Sequence, residues 1–288
     1  MNEKLRLFIA GYCSGASLVM AGHPFDTIKV RLQSEGKGGR FRGPLHCLTE
    51  TVTKEGLGAL YKGVTPPLVA TGCINSVLFT MQALMVKRIA ADPSKPQVTD
   101  SMKAALASGA LISLLVTPME GVKARLQVQY AARPGAAAYK GPIDCAMQVL
   151  RSQGLAHGLY RGWLMTVYCR MSNWAYFGGY AAVQGWLAAH GGEGRSARFN
   201  SVAAGGGAGV AYWLTCFPAD VVKNRMQTMP SSDPLYATVR STVSHIWARE
   251  GWRGFFRGFA PCMLRAIPAN AAAFTGYEMA LRHLPSSS

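Results

Sequence analysis

The sequence is poor in charged residues, and poorest in acidic ones. Asp, Glu, Lys and Arg make up 15% of its 288 residues, against about 25% in a typical soluble domain. Fourteen acidic residues stand against 30 lysines and arginines, so the formal net charge is +16, while 49% of residues are hydrophobic. So many apolar residues exclude a disordered chain. The composition favours a basic membrane protein or a basic nucleic-acid-binding protein.

Motifs for metal binding, disulfides and catalysis are missing as well. The seven cysteines are odd in number and none has C-x-x-C or C-x-x-H spacing, which disfavours a disulfide framework or a structural zinc site. The six histidines are scattered without any i, i+4 pair, so no catalytic cluster is expected. The sequence therefore predicts neither an enzyme nor a cofactor. The first residues resemble neither a transit peptide nor a secretory signal, so targeting information is expected within the mature chain.

Six stretches of the chain are almost free of charge. They are roughly 16 to 24 residues long, and a helix needs about 20 residues to cross a bilayer. Several are rich in Gly, Ser and Thr, which suits helices that face protein or a water-filled cavity on one side. Six buried helices of a soluble bundle are the alternative. The predicted spans are 7–25, 63–86, 104–119, 171–192, 199–219 and 259–277, the last interrupted by Arg265.

One pattern occurs three times at nearly equal spacing. Each copy has a proline, followed by an acid two residues after it, a lysine five residues after it, an arginine seven after it and a glutamine nine after it. An aromatic-basic-glycine triplet follows each copy at a similar distance. In the first two copies, a second such triplet lies between the proline pattern and this triplet. The repeated residues are Pro24, Pro118 and Pro218; Asp26, Glu120 and Asp220; Lys29, Lys123 and Lys223; and Gln33, Gln127 and Gln227.

This period indicates three homologous units, 1–97, 98–195 and 196–288. Each unit is predicted as a span, a short amphipathic helix and a second span. The short helices are expected at 44–55, 142–153 and 238–250. The predicted fold is an all-α membrane protein with six transmembrane helices in a barrel of approximate threefold symmetry, with three short amphipathic helices on one side.

The repeated acid and lysine lie three positions apart, on one face of a helix. The preceding proline removes a backbone donor and is expected to kink that helix. With threefold symmetry each acid can reach the lysine of a neighbouring unit, so the sequence predicts a ring of ion pairs. Surface charges at the ends of the spans, worth about 0–1 kcal/mol per pair, are the alternative.

The three segments resemble the signature of the mitochondrial carrier family, P-x-[DE]-x-x-[KR]-x-[KR], and the resemblance extends from about residue 7 to residue 284. It implies a monomeric transporter of a small-molecule substrate, a multi-pass protein of the mitochondrial inner membrane with both termini toward the intermembrane space. It also implies that the acids and lysines form the matrix gate and that the three glutamines brace it. The alternatives are a carrier in the membrane of another organelle, or a carrier-fold protein with a lipid-binding or scaffolding role.

Many basic residues lie between the odd and even spans, which orients these segments toward the matrix. The aromatic-basic-glycine triplets stand at predicted helix N-termini, where free N–H groups attract phosphate. In the family these triplets bind cardiolipin, and helix capping alone is the alternative. Because the positive charge follows membrane topology, nucleic acid is not an expected partner. The residues expected to bind cardiolipin are Gly43, Lys62, Gly63, Gly141, Arg161, Gly162, Arg257 and Gly258.

Two arginines, Arg170 and Arg265, lie within or beside the predicted spans, where a charge is a functional candidate. In the family, substrate contacts on even helices lie seven residues after the triplet glycine. This spacing selects Arg265 in the third unit, and Cys169 beside Arg170 in the second. Tyr168 is the alternative there, because the fourth span is one residue short. The expected substrate-binding residues are Ala70, Thr71, Ile74, Asn75, Cys169, Arg170 and Arg265.

The sixth span resembles carnitine/acylcarnitine carriers and ornithine-type amino acid carriers. Ornithine carriers have an acid where this chain has Ile74, and carnitine carriers have an Arg-Asp pair where it has Cys169 and Arg170. No acid is expected in the central cavity, and a close like-charge contact opposes binding by about 4 kcal/mol at an effective dielectric constant near 20. We therefore expect a substrate with a carboxylate or other anionic group, moved by exchange. A basic amino acid or carnitine carrier with an atypical cavity is the alternative.

The outer gate of the family uses an acid and a base on the even helices. In this chain only one polar contact is available at those positions, between Glu278 and Gln184. The sequence therefore predicts a strong ring at the matrix end and a weak outer gate. It follows that the empty carrier is expected to rest open to the outside, and that strict one-for-one exchange is not expected.

Overall fold

The computed structural model describes residues 3–36, 38–89, 98–129, 139–190, 197–230 and 232–284, and the regular secondary structure in these ranges is helical. Three 3-10 turns, at Leu57–Tyr61, Pro234–Tyr236 and Trp252–Phe256, and one π-turn at Leu155–Leu159 join the α-helices. The α-helices are α1 Glu3–Glu35, α2 Pro44–Glu55, α3 Thr65–Ile89, α4 Val98–Gln127, α5 Pro142–Gly154, α6 Trp163–Met171, α7 Asn173–His190, α8 Ala197–Thr228, α9 Val239–Glu250 and α10 Phe259–His283.

The described helices repeat one order three times, with a long helix, a short amphipathic helix and a second long helix in each copy. The predicted spans fall on α1, α3, α4, α7, α8 and α10, and the predicted short helices fall on α2, α5 and α9. Within the part of the chain that the structure describes, no helix combines the length and the apolarity that would mark it as a membrane span.

The second repeat departs from the other two before and within its second long helix. One additional residue before Tyr160 is accommodated in the π-turn Leu155–Leu159, where the other repeats have 3-10 turns. The helix is also divided into α6 and α7 at Ser172, whose N–H and Oγ–H both donate to the Tyr168 carbonyl, at 2.9 and 2.8 Å. A serine that bonds back to the preceding turn in this way bends a helix. The predicted fourth span, 171–192, therefore corresponds to α7, and the bend at its start was not predicted.

The short helices are held by one buried face each, with buried residues four positions apart as expected for an amphipathic helix. The opposite faces carry exposed apolar residues, including Leu45, Ile143 and Trp247. Each buried face packs on the C-terminal part of the long helix before it, so the apolar core lies at that end of the barrel. The buried pairs are Cys47 and Thr51 in α2, Cys145 and Val149 in α5, and Thr242 and Ile246 in α9.

The long helices form a closed barrel, in which α1 packs against α10, α3 against α4 and α7 against α8. Small residues allow these helices to approach closely. A Cβ at Gly276 of α10 would lie 2.3 Å from Ser17 Oγ of α1, and one at Gly207 of α8 would lie 2.5 Å from Val183 of α7. Contact between α1 and α10 joins the first repeat to the third and brings the C-terminal parts of α1, α4 and α8 together.

Candidate functional site

Six side chains, called the acid–lysine ring below, meet where the C-terminal parts of α1, α4 and α8 converge. Each lysine contacts the acid of a different repeat, so three contacts cross the boundaries between repeats. The three contacts join Lys29 Nζ to Asp220 Oδ2 at 2.8 Å, Lys123 Nζ to Asp26 Oδ2 at 2.8 Å and Lys223 Nζ to Glu120 Oε2 at 3.0 Å.

The ring is not equally buried around its circumference. The side chains of Lys29 and Asp220 are each 9% exposed, whereas those of Asp26 and Lys123 are 20% and 23% exposed. Asp220 also contacts Lys223 of its own helix, at 3.1 Å. Because removing one partner of a buried pair leaves an uncompensated charge, at about 3–5 kcal/mol, the contact between α1 and α8 holds the ring most strongly.

The three repeated prolines lie inside the helices that carry the ring. Pro24, Pro118 and Pro218 fall within α1, α4 and α8, and each helix continues for several residues beyond the ring. Each proline removes one backbone donor from its helix. The kink at these positions stays a prediction.

The three repeated glutamines have different surroundings. Gln33 Nε2 donates to Asp220 Oδ2 of the ring at 3.3 Å. Gln127 Nε2 donates instead to Thr27 Oγ1, at 3.2 Å. The side-chain amide of Gln227 is buried and has no hydrogen-bond partner among the described residues. Equivalent positions in the repeats therefore do not make equivalent contacts, and the structure places Gln33 alone of the three in hydrogen bonding with a described ring residue.

Both arginines that the sequence singled out pair with acids of the ring. Arg265 Nε lies 3.0 Å from Asp26 Oδ1, an ion contact whose angles are not those of a hydrogen bond. Arg170 Nη2 donates to Glu120 Oε1 at 3.1 Å. Gly22 of α1 leaves room for Arg265, because a Cβ at this position would lie 2.7 Å from Arg265 Nε. The sequence did not reveal these contacts, since they depend on how α10 and α6 lie against α1 and α4.

The ring borders a cavity of about 180 Å³. Arg265 lines it together with all six ring residues, and Arg170 reaches the same site through Glu120. Five cationic groups therefore surround three carboxylates, so the prediction that no acid lies in the central cavity was wrong. The charged side chains at this cavity therefore carry a net positive charge.

Two cavity residues were missed in the sequence. Trp213 lies under Lys29, with Lys29 Nζ 4.7 Å from the centre of a Trp213 ring, a cation–π contact. Asn224 Nδ2 donates to Gln33 Oε1 at 2.6 Å and to Asp220 Oδ2 at 3.1 Å. A comparison of the repeats position by position would have found both, because the equivalent positions carry smaller or apolar residues.

Of the other predicted substrate-binding residues, the structure describes the side chains of Cys169 and Ile74, which lie on different helices. Cys169 is buried in the contact between α6 and α8, where its Sγ lies 3.7 Å from the Cys216 carbonyl, so its thiol packs between helices. Ile74 is partly buried on α3. The side chains of Ala70, Thr71 and Asn75 lie outside the described residues.

At the opposite end of the barrel, the predicted outer pair does not meet. Glu278 pairs with Arg282 one turn further along α10, at 3.6 Å, and both side chains are largely exposed. Gln184 donates to the hydroxyl of Tyr180 on its own helix at 3.1 Å. Among the described residues, no acid–base pair links α7 to α10. This end therefore has no counterpart of the acid–lysine ring in the described structure.

The basic residues of the triplets lie between repeats and donate to main-chain carbonyls of the next repeat. Lys62 and Arg257 also pair with the acids of their own short-helix segments. Burial acts to raise the pKa of one of these acids, Glu55, but its hydrogen bonds from Arg31 and Lys62 outweigh this and keep the pKa below its ordinary value. The carbonyl contacts are Lys62 to Gln129 at 2.8 Å, Arg161 to Met229 and Tyr236 at 2.9 and 2.8 Å, and Arg257 to Phe41 at 3.1 Å.

The triplet glycines fall into two conformational groups. Gly63, Gly162 and Gly258 have positive φ, which favours glycine. Gly43 and Gly141 are extended N-cap residues of α2 and α5, which have no side-chain cap, so the first N–H groups of these helices are open to an acceptor.

The class of this protein follows from comparison with known families. The profile described as "Mitochondrial carrier protein" matches residues 2–92, 94–191 and 195–288. The chain therefore belongs to the mitochondrial carrier family, whose members are transporters and not enzymes. The prediction of an all-helical carrier fold built from three repeats is confirmed.

Three relatives cover nearly the whole chain. It is 44% identical over 287 residues to mitochondrial substrate carrier family protein L of Dictyostelium discoideum, covering 99% of this chain and 97% of the relative. It is 35% identical to a mitochondrial carnitine/acylcarnitine carrier-like protein of Arabidopsis thaliana, with 97% and 98% covered. It is 36% identical to a mitochondrial basic amino acids transporter of Bos taurus, with 96% and 91% covered.

Proposed function

We propose that this chain is a carrier of the mitochondrial inner membrane that moves a small carboxylate-bearing metabolite, of the amino-acid or acylcarnitine type, by alternating access and mainly by exchange. The charge around the cavity supports this substrate class. Each ring acid already contacts two cationic groups. A cationic substrate would therefore compete with these bound groups, whereas a carboxylate would meet surplus positive charge.

In this proposal the acid–lysine ring is the matrix gate, and Arg265 and Arg170 couple it to the substrate. Each arginine shares a ring acid with a lysine, as Arg265 and Lys123 do at Asp26. A substrate carboxylate that binds these arginines draws them from Asp26 and Glu120. The two acids then lose cationic contacts that stabilise the ring. Binding then favours the open gate because the substrate interacts differently with the two states.

The difference between the two ends of the barrel supports a resting state that is closed toward the matrix and open toward the intermembrane space, where both termini would lie. The ring is formed, and Gln33 braces it through Asp220. Glu278 and Gln184 each bond within their own helix. Because neither residue bonds across the outer end, closing that end would gain little stabilisation from them. We therefore propose that exchange is not strictly coupled.

We propose further that the protein acts as a monomer that binds cardiolipin between repeats. A cavity of about 350 Å³ lies at the N-termini of α6 and α9 and is lined by Arg161, Gly162, Trp163 and Thr238 among others. Lys62, Arg161 and Arg257 donate to protein carbonyls, so the backbone N–H groups at Gly43, Gly141, Gly63, Gly162 and Gly258 are the proposed phosphate ligands. A rise in melting temperature with cardiolipin, and none with phosphatidylcholine, tests this part; equal effects of both lipids would contradict it.

Uptake into proteoliposomes tests the substrate class. A neutral amino acid or an acylcarnitine should exchange, while the amide analogue without its carboxylate should be carried at least about tenfold more slowly, the equivalent of 1.4 kcal/mol. Arg265→Gln and Arg170→Gln should each reduce uptake by a similar factor. Arg240→Gln, which removes an exposed arginine of α9, is the matched control and should leave uptake unchanged.

The principal alternative is a carrier of basic amino acids or carnitine, which the names of two relatives favour. Exchange of ornithine or lysine as fast as that of a neutral amino acid would contradict the charge argument and leave carrier function intact. If none of these compounds is exchanged and none raises the melting temperature, a lipid-binding or scaffolding role is supported instead.

A further inference from the structure

The second repeat lacks a carboxylate that the other two repeats have. In the first repeat Glu55 pairs with Arg31 at 2.6 Å and with Lys62 at 2.7 Å. In the third repeat Glu250 contacts the two equivalent basic residues, which are Arg225 and Arg257. One acid therefore offsets part of the charge of the signature arginine and of the triplet base in each of these repeats.

In the second repeat the equivalent position is Gln153, which carries no charge. The basic residues at the positions equivalent to those of the other repeats are Arg125, which is 5% exposed, and Arg161, which is 6% exposed. Arg125 Nη2 donates to Gly158 O at 3.0 Å and approaches Gln153 Oε1 at 3.4 Å. No carboxylate in the described ranges forms an ion pair with either guanidinium.

The two arginines also influence each other. Burial lowers the pKa of Arg161 below its ordinary value, and the positive charge of Arg125 lowers it further, while Asp233 acts in the opposite direction. Asp233 forms no ion pair with Arg161 in the described structure, and its Oδ1 accepts from the Leu235 N–H at 3.0 Å. The boundary between the second and third repeats thus carries two buried positive charges at short range, whereas buried charges in proteins are ordinarily paired.

Unused hydrogen-bonding atoms surround one point in this boundary. Arg125 Nη1 and both amide atoms of Gln227 are buried without a partner among the described residues. A Cβ at Gly121 would lie 3.6 Å from Arg125 Nη1, 3.8 Å from Gln227 Nε2 and 3.8 Å from Leu159 O. Both nitrogens therefore lie within van der Waals range of a position that Gly121 leaves without a side chain. Gln227 is 1% exposed, so the site is closed to bulk water.

We propose that Arg125 and Gln227, with the charge of Arg161, bind a small monovalent inorganic anion such as chloride at the boundary of the second and third repeats. The anion supplies the negative charge that Glu55 and Glu250 supply in the other repeats, and it accepts from Arg125 Nη1–H and Gln227 Nε2–H. It lies apart from the cavity at the acid–lysine ring, and the proposal does not depend on the transported substrate.

Thermal unfolding of the purified chain in potassium chloride and in potassium gluconate of equal concentration tests this site, because an ion that binds the folded state alone raises its melting temperature. We expect chloride to raise the melting temperature by about 2–4 °C. Gln153→Glu should raise the melting temperature in gluconate and abolish the response to chloride. Ser152→Glu, which adds the same charge at an exposed neighbour, should keep the wild-type response.

A second variant tests the same site without adding charge. Gln227→Met removes the two unpaired polar atoms, so it should be neutral or stabilising in gluconate and should weaken the response to chloride. Equal melting temperatures of the wild-type chain in the two salts, or an undiminished chloride response in Gln153→Glu, would overturn the proposal. The series is repeated with cardiolipin present; a response that persists supports a free ion, and one that disappears assigns the charge to lipid phosphate and refutes the proposal.

Discussion

The two ends of the barrel are held by different forces. At one end, three ion pairs cross from repeat to repeat and two arginines join them. At the other end, the polar side chains Glu278 and Gln184 bond within their own helices, and small residues such as Gly276 let the helices approach. A barrier built from charges has a strength that a bound anion can change, whereas close helix packing responds little to charge.

The largest effect is expected from Asp220→Asn at the ring. Asp220 contacts Lys29, Lys223, Gln33 and Asn224, and its loss leaves buried lysines without their counter-charge. We expect the free energy of unfolding to fall by about 3–5 kcal/mol, measured by denaturant titration in detergent. A loss below about 1 kcal/mol would show that the ring does not hold this end.

The next effect concerns Glu55, whose pKa is held below its ordinary value of 4.5. Such an acid stabilises the fold above its unfolded pKa, and this contribution is lost as the pH falls through the lower folded pKa. Glu55→Gln should therefore lower the free energy of unfolding at pH 7 by about 1.5–3 kcal/mol and reduce the loss of wild-type stability below about pH 4.5. Melting curves between pH 3 and 7 measure this; an unchanged slope in the variant would contradict it.

At the opposite end, Gly276→Ala tests close packing. Its Cβ would lie 2.3 Å from Ser17 Oγ, so α1 and α10 must separate. The expected loss is about 1–3 kcal/mol, and it should be insensitive to salt. Gly185→Ala is the control, because nothing lies within 4 Å of its Cβ position. Equal melting temperatures of the two variants would disprove the packing argument.

The smallest effect is expected from Glu278→Gln, which removes an exposed pair within one helix turn. Such pairs contribute about 0.3–0.5 kcal/mol, so the melting temperature should change by less than the error of most measurements. A loss comparable to that of Asp220→Asn would abolish the contrast between the two ends.

The repeat spacing was sufficient to predict the three short helices and the residues of the acid–lysine ring, because both follow from helical period and threefold symmetry. The division of the fourth long helix at Ser172 was not predicted, since a serine within a helix bonds either to solvent or to the preceding turn. The pairing of Arg265 with Asp26 was also missed. It joins residues from opposite ends of the chain, and sequence spacing contains no information on how α10 lies against α1.

Equivalent residues in the repeats also proved less equivalent than the motif suggests. Gln33 reaches the ring and Gln227 has no described partner, although both follow their prolines by the same interval. The neighbours decide the difference, since Asn224 orients Gln33 through a 2.6 Å hydrogen bond. The motif therefore identifies candidate residues, and the non-repeated residues beside them determine which contacts form.

One detail of the ring gives its opening an order. Lys223 touches both Glu120 and Asp220, and Asp220 in turn touches Lys29, so these four side chains form one connected run across three helices. The pair Asp26 and Lys123 stands outside this run and is more accessible to water. We therefore expect separation of the helices to begin at the seam between α1 and α4, with the run through Lys223 as the hinge.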